Sequence, residues 1–144
     1  MKYAGRFKER NLHIFDQTEF WDLDGERPTN GTGVNEYGTI YIPDDCQDGE
    51  TVCKMVMVTG SCGGSNPGFG ESDIDFAKYG EAHNIVVLKA CVGGYFDADR
   101  FPNAGEVHRG LLDVYGQLSE DYAMQSGYHM RVVGRIMKRL MDGP

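Results

Sequence analysis

The sequence predicts an α/β fold on a mixed sheet, with antiparallel first strands, a parallel βαβ unit and helices packed on the sheet, and three observations carry this prediction. Alternation at Leu12 and Ile14, and again from Tyr37 through Pro43, suggests two half-buried strands. The apolar run at 54–59 stops at glycine, a helix-like segment follows, and Ile85-Val86-Val87-Leu88 is then a continuous apolar run, which is the order of a parallel strand, helix and strand. The C-terminal segment carries an amphipathic repeat of helical period.

Taken in order, residues 1–10 are basic and lack the apolar core of a secretory signal, so they read as an N-terminal extension ahead of one domain, 11–144. Between the first two strands, 22–31 is acidic and turn-rich. Asp22, Asp24 and Gly25 suggest a calcium loop, but the later glutamate at the required offset is absent, and the segment reads as an ordinary solvated loop. From Ser72 to His83 a capping serine and an acidic first turn predict a helix. The stretch from Cys91 to about Gly116 shows neither helical nor strand period and reads as a long loop, of the kind that carries function. From 122 to 140, Met130, Val133, Ile136, Met137 and Leu140 share one face of a single helix. This order of elements is that of the opening third of an α/β-hydrolase, in which the loop after the third strand helps make the oxyanion hole. The expected fold is therefore partial and α/β-hydrolase-like.

A formal charge of −8 and a pI near 4.9 exclude nucleic acid as an expected partner, because that affinity comes from clustered Lys and Arg. Arg131, Arg135, Lys138 and Arg139 do cluster, but at helical spacing, as a solvated face that complements a helix dipole. No stretch approaches the roughly 18 apolar residues of a membrane span.

The four cysteines, at 46, 53, 62 and 91, form no C-x-x-C pair, so neither zinc nor a thioredoxin-type site is implied, and nothing points to another metal or a cofactor. Cys46 and Cys53 bracket a six-residue turn over which two strand ends can meet as a disulfide-closed hairpin. An even count fits two bridges and an oxidising compartment, yet it allows three connectivities and fits four free thiols as well.

Cys62 stands in Gly60-Ser61-Cys62-Gly63-Gly64, directly after a strand. A nucleophile elbow requires a helix to start at that turn, and the following glycines with Pro67 forbid one. The backbone N–H groups of Gly60 to Gly64 are the better functional candidates, since a glycine-rich turn after a buried strand can point donors at an anion or a carbonyl oxygen. His108 and Asp113 are candidates for a base and its orienter, weighed against a reading as two exposed loop residues. His83 ends a helix, His129 falls among helical surface positions, and His13 faces solvent from the first strand.

Three motifs in the same order carry a family resemblance. Tyr41-Ile42-Pro43-Asp44-Asp45-Cys46 with Thr51-Val52-Cys53 looks like Y-V-P-x-x-C and T-V-C. The stretch 79–88 looks like W-A-D-x-N-N-I-I-V-L. Asp113-Val114-Tyr115-Gly116 followed by Tyr122-Ala123-Met124-Gln125-Ser126-Gly127 looks like W-D-W-x-G and Y-A-T-x-S-G. From about residue 11 to 140 the chain resembles one segment of the poly(3-hydroxybutyrate) depolymerase family of α/β-hydrolase esterases.

The resemblance implies carboxylic ester hydrolysis and an ester or polyester substrate. Thr59, Gly60, Ser61, Gly63, Asp113 and Tyr115 would then lie on the oxyanion and substrate side. It also implies an extracellular or secretory setting, although this sequence shows no signal peptide. Within it, Cys62 is a disulfide partner and Cys91 is expected in place of the partner cysteine that this chain lacks. Thr59 stands roughly where the family has histidine, and Leu111-Leu112-Asp113 stands where it has C-W-D. No G-x-S-x-G serine is present, and the acid and histidine of the family's triad belong with that serine, in a half the chain does not match. Three functions follow in order of expectation. The first is the oxyanion-side segment of a serine esterase, not catalytic by itself. The second is a non-catalytic binding protein, a pseudoenzyme of that fold, able to self-associate through an exposed sheet edge. The third is a hydrolase using Cys62 as nucleophile with His108 or His83 as base.

Overall fold

In the computed structural model, residues 4–21, 23–24, 27–28, 31–59, 62 and 69–143 are described. Leu12–Asp16 (β1) pairs antiparallel with the strand Tyr37–Tyr41. Between them lie the two-residue strands Leu23–Asp24 (β2) and Arg27–Pro28 (β3), which pair with each other, and Thr32–Val34 (β4). The strand Tyr37–Tyr41 (β5) also pairs antiparallel with Ile85–Lys89, in register Thr39 with Lys89 and Tyr41 with Val87. Lys54–Met57 (β6), the helix Glu71–His83 (α1) and Ile85–Lys89 (β7) form the expected parallel unit, with Met57 opposite Leu88. The sheet order is β1-β5-β7-β6, which places β6 at one edge.

Pleating sends alternate residues of the sheet to two apolar layers. On one side Tyr41, Val87 and Val58 pack with Ala77 of α1 and with Phe7, Leu12 and Phe69. On the other, Ile40, Leu88 and Ala90 pack with Val132, Val133 and Ile136 of the last helix, Tyr128–Asp142, and with Phe20. Val87 and Leu88 are both fully buried, as a strand covered on both faces requires. Ile14 departs from the expected alternation and is 63% exposed, because α1 packs on β7 and leaves the β1 edge uncovered.

Residues 4–8 are stitched to α1. The Gly5 N–H donates to Lys78 O at 2.7 Å, and Lys8 pairs with Glu81 and with Asp44. Asn11, Tyr41 and Gln47 complete this polar cluster, in which Tyr41 donates to Glu81 at 2.7 Å and Asn11 to Asp44 at 2.6 Å.

Three sequence expectations are corrected. Ser72 does not cap α1. The cap is Gly70, whose N–H is taken by the carboxylate of Asp73 at 2.8 Å, and the helix ends where Asn84 adopts a left-handed φ of 56°. The stretch from Cys91 to Gly116 is not all loop. It contains Val92–Phe96 (β8), paired with β4, and the single helical turn Gly105–His108 (α2). In β8 two adjacent glycines hide the strand signal. A side chain at Gly94 would meet Val34 O at 2.5 Å, so the close pairing with β4 depends on that glycine. The final helix, Tyr128–Asp142 (α3), starts later than 122, because 120–126 fold as turns and Gly127 is the N-cap. Its buried face is His129, Val132, Val133 and Ile136, whereas Met130 and Leu140 are 39% and 41% exposed. No described helix is long and apolar enough to cross a membrane. The acidic turn read at 22–31 lies partly outside the described residues, which omit 22, 25, 26, 29 and 30.

Candidate functional site

The carboxyl ends of β6 and β7, the N-terminus of α1 and the segment 111–118 carry the residues singled out from sequence. Open α/β sheets bind ligands outside the carboxyl ends of their parallel strands, which makes this end the place to look. Val58 continues the β6–β7 ladder through its N–H to Leu88 O at 2.9 Å, and the exposed Thr59 follows. Gly60, Ser61, Gly63 and Gly64 lie outside the described residues, so the oxyanion role expected of their backbone remains an expectation.

Cys62 is described and is bonded to Cys91, with a Cα to Cα distance of 5.4 Å. It is 4% exposed, and its N–H donates to Val92 O at 3.4 Å. A sulfur in a disulfide is not a thiolate, so in this structure Cys62 has no nucleophile to offer and instead ties the glycine-rich segment to the start of β8. Cys46 and Cys53 form the second bridge, at 5.9 Å between Cα atoms, and no described cysteine is free.

Beneath this end sits a buried ion pair that sequence reasoning missed. Lys89 Nζ lies 2.6 Å from Asp73 Oδ2, with side-chain exposures of 7% and 10%. The signal was available: Lys89 extends the apolar run of β7, and Asp73 is the third residue of a helix whose cap carries no side chain. Gln17, fully buried, adds a second tie by donating to Asn35 O and Cys91 O and accepting the Cys91 N–H.

The exposed-loop reading of Asp113 is corrected. It is 8% exposed, and its carboxylate accepts the backbone N–H groups of Tyr115, Gln117 and Leu118 at 3.3, 2.8 and 2.9 Å, which folds 113–118 into a tight turn. The Asp113 backbone N–H donates to Nδ1 of His129 at 2.9 Å. The His108 backbone closes α2. Tyr115 is 72% exposed and Leu111 39% exposed.

His129 is likewise not on the helix surface. It is 4% exposed, and Nε2 lies 2.7 Å from Thr32 O. A carbonyl oxygen only accepts, so Nε2 carries the proton and Nδ1 is the acceptor. Burial pushes the His129 imidazole below its ordinary pKa of 6.5, against the opposing pull of the Thr32 carbonyl and the Asp113 charge. The spacing of 129, 132, 133 and 136 was the signal for its burial.

Cys62 and Asp113 are joined through packing and not through a hydrogen bond. The Val92 that accepts the Cys62 N–H belongs to an apolar cluster with Phe101, Val107 and Leu118, bordered by Leu112 and Tyr128. Grooves flanking α3, lined by Phe15, Phe20, Ile40, Ile136 and Leu140 on one side and by Met130, Gly134 and Met137 on another, contain none of these site residues. Among the described residues no group of three His, Cys, Asp or Glu side chains is arranged to hold a metal ion.

No family model matches the chain. No curated protein matches it. Two solved structures do. One is a PHB depolymerase complexed with an R3HB trimer, at TM-score 0.58 and 17% identity, with 96% of this chain covered. The other is the PHB depolymerase from Penicillium funiculosum, at TM-score 0.56 and 17% identity, with 94% covered. The chain spans 41% of the length of each. At this identity the likeness is one of fold, and the chain has the α/β-hydrolase fold over the segment it shares with those two PHB depolymerases.

Proposed function

We propose that this chain is the oxyanion-side segment of a polyhydroxybutyrate-depolymerase-like serine esterase. The fold likeness supports this reading: 96% of the chain is covered by 41% of a structure described as a PHB depolymerase with an R3HB trimer. In this reading the backbone N–H groups of Gly60, Ser61 and Gly63 supply donors to the carbonyl oxygen of a carboxylic ester, a role that oriented N–H groups fill by stabilising charge as it develops. Asp113 and Tyr115 border the substrate, Asp113 through the turn that it folds. The attacking serine comes from a part of the fold that these residues do not include, since the sequence holds no G-x-S-x-G. That part would pair with β6, which pairs only with β7 among the described strands. The two disulfides favour an extracellular or secretory-lumen setting.

The alternative is a non-catalytic binding protein on the same fold, which Thr59 and Leu111 favour because each replaces a residue that the resemblance would place at the site. A Cys62 nucleophile ranks last, since its sulfur is bonded to Cys91.

The test compares the native protein, isolated from its source without reductant, with residues 1–144 produced alone. Each is assayed on p-nitrophenyl butyrate and labelled with a serine-reactive fluorophosphonate. We expect label and turnover in the native protein and neither in 1–144. A native protein that takes no label moves the reading to binding. Turnover by 1–144 that survives fluorophosphonate but not iodoacetamide overturns it in favour of cysteine.

A further inference from the structure

We propose that neutral His129 is an acid-sensitive latch that holds the turn at residues 113–118 against α3 and β4. The inference goes beyond the ester reading and does not depend on it.

The latch follows from the two ring nitrogens and their partners. Nε2 donates to Thr32 O on β4, and Nδ1 accepts the backbone N–H of Asp113, so one buried ring joins three segments that are distant in sequence. Only the Nδ1 bond requires the neutral ring, because Nε2–H donates to Thr32 O in either protonation state. A proton on Nδ1 would set an N–H against the Asp113 N–H, break that bond and leave a cation in a site 4% exposed. The turn would move as a unit, because its own bonds from Tyr115, Gln117 and Leu118 run to the Asp113 carboxylate and not to the histidine.

The surrounding groups decide the direction. Residues 32–34 of β4 bring no ionisable side chain. The turn brings the Asp113 carboxylate, which favours the cation. On α3 the neighbours are Tyr128 and Arg131, whose guanidinium carbon lies 5.1 Å from the Tyr128 ring centre. The short helix α2, packed on β4, carries Glu106, which makes no hydrogen bond to the ring. Burial is the largest influence and lowers the ring's affinity for a proton, so the neutral form persists below the ordinary imidazole range and the latch opens only on acidification. Release would free the stretch that carries the exposed Tyr115 and would withdraw Leu118 from its apolar cluster.

Amide hydrogen exchange on 1–144 between neutral pH and the acid unfolding limit, corrected for intrinsic rates, tests this. Protection of the Asp113 amide should fall about tenfold per pH unit once His129 begins to titrate, while Leu88 in β7 keeps its protection. In His129→Gln, the Asp113 profile should be flat over the same range. Equal pH dependence in His129→Gln, or Asp113 protection lost only together with Leu88, overturns the latch. Should His129→Gln fail to fold, the wild-type ring titration followed by NMR decides the matter. Its midpoint must match the onset of Asp113 exchange, and a mismatch overturns the proposal.

Discussion

Asp73 Oδ2 accepts at once from Lys89 Nζ at 2.6 Å and from the Gly70 N–H at 2.8 Å. One carboxylate therefore caps α1 and neutralises the charge at the end of β7. Removing it has two consequences, a lost cap and a buried ammonium without its carboxylate.

Asp73→Ala should cost about 3–5 kcal/mol in urea unfolding. Adding Lys89→Met should restore more than half of that loss, because a buried ion pair replaced by apolar groups is often neutral or stabilising. A single-mutant cost below about 1 kcal/mol would mean that the pair is solvated.

The cluster of Lys8, Asp44, Glu81 and Tyr41 should give the stability curve two sloping limbs. Hydrogen bonds from Lys8 and Asn11 hold the Asp44 carboxyl down at about 2, against an ordinary 3.8. Burial pushes Glu81 upward, but the bonds from Lys8, Tyr41 and Asn11 outweigh it and leave the pKa lowered. Both carboxylates thus stabilise the fold above their unfolded values, and that stabilisation fades as pH falls toward 2. Burial, with the Glu81 bond, raises the Tyr41 hydroxyl from 10.0 to about 12, so its contribution is complete below pH 10 and fades as pH rises through 12. Thermal melts should show a flatter acid limb in Asp44→Asn/Glu81→Gln and a flatter alkaline limb in Tyr41→Phe. Unchanged slopes would refute the assignment.

The two disulfides should differ in access. Cys46 and Cys53 are both half-buried, whereas Cys62 and Cys91 are 4% and 1% exposed. Under mild reductant and native conditions, alkylation with mass mapping should find label at Cys46 and Cys53 first. Cys62→Ala/Cys91→Ala should lower stability by about 2–4 kcal/mol. Simultaneous labelling of all four cysteines would show that the inner bridge is not protected by the fold.

Two glycine-to-alanine changes should act in opposite directions. At Gly80 the new methyl would sit 2.4 Å from Ile85 O, forcing α1 off β7 at a cost of about 1–3 kcal/mol. At Gly134, in the middle of α3, it meets nothing within 4 Å, and the helix should gain about 0.5–1 kcal/mol. Melting temperatures moving in the same direction would contradict the packing of α1 on the sheet.

Sequence period was enough for the parts of the fold whose signal is local. The parallel unit β6, α1 and β7 was legible because an unbroken apolar run and a helix with an acidic first turn are written within a few residues. What was not legible depended on partners distant in sequence. Val92-Gly93-Gly94-Tyr95-Phe96 has no strand pattern of its own and becomes one by pairing with Thr32–Val34. The helical face was legible to within one position, and that position decided whether His129 met water or the core.

The amino-acid order by itself determined the α/β class and the strand, helix and strand unit, because backbone propensity and burial period act over short spans. The tertiary structure alone decided that Asp113 and His129 are buried together and that Asp73 holds Lys89. A polar side chain reads the same in sequence whether it is solvated or satisfied, and only the segments folded against it supply the hydrogen bonds that make burial affordable.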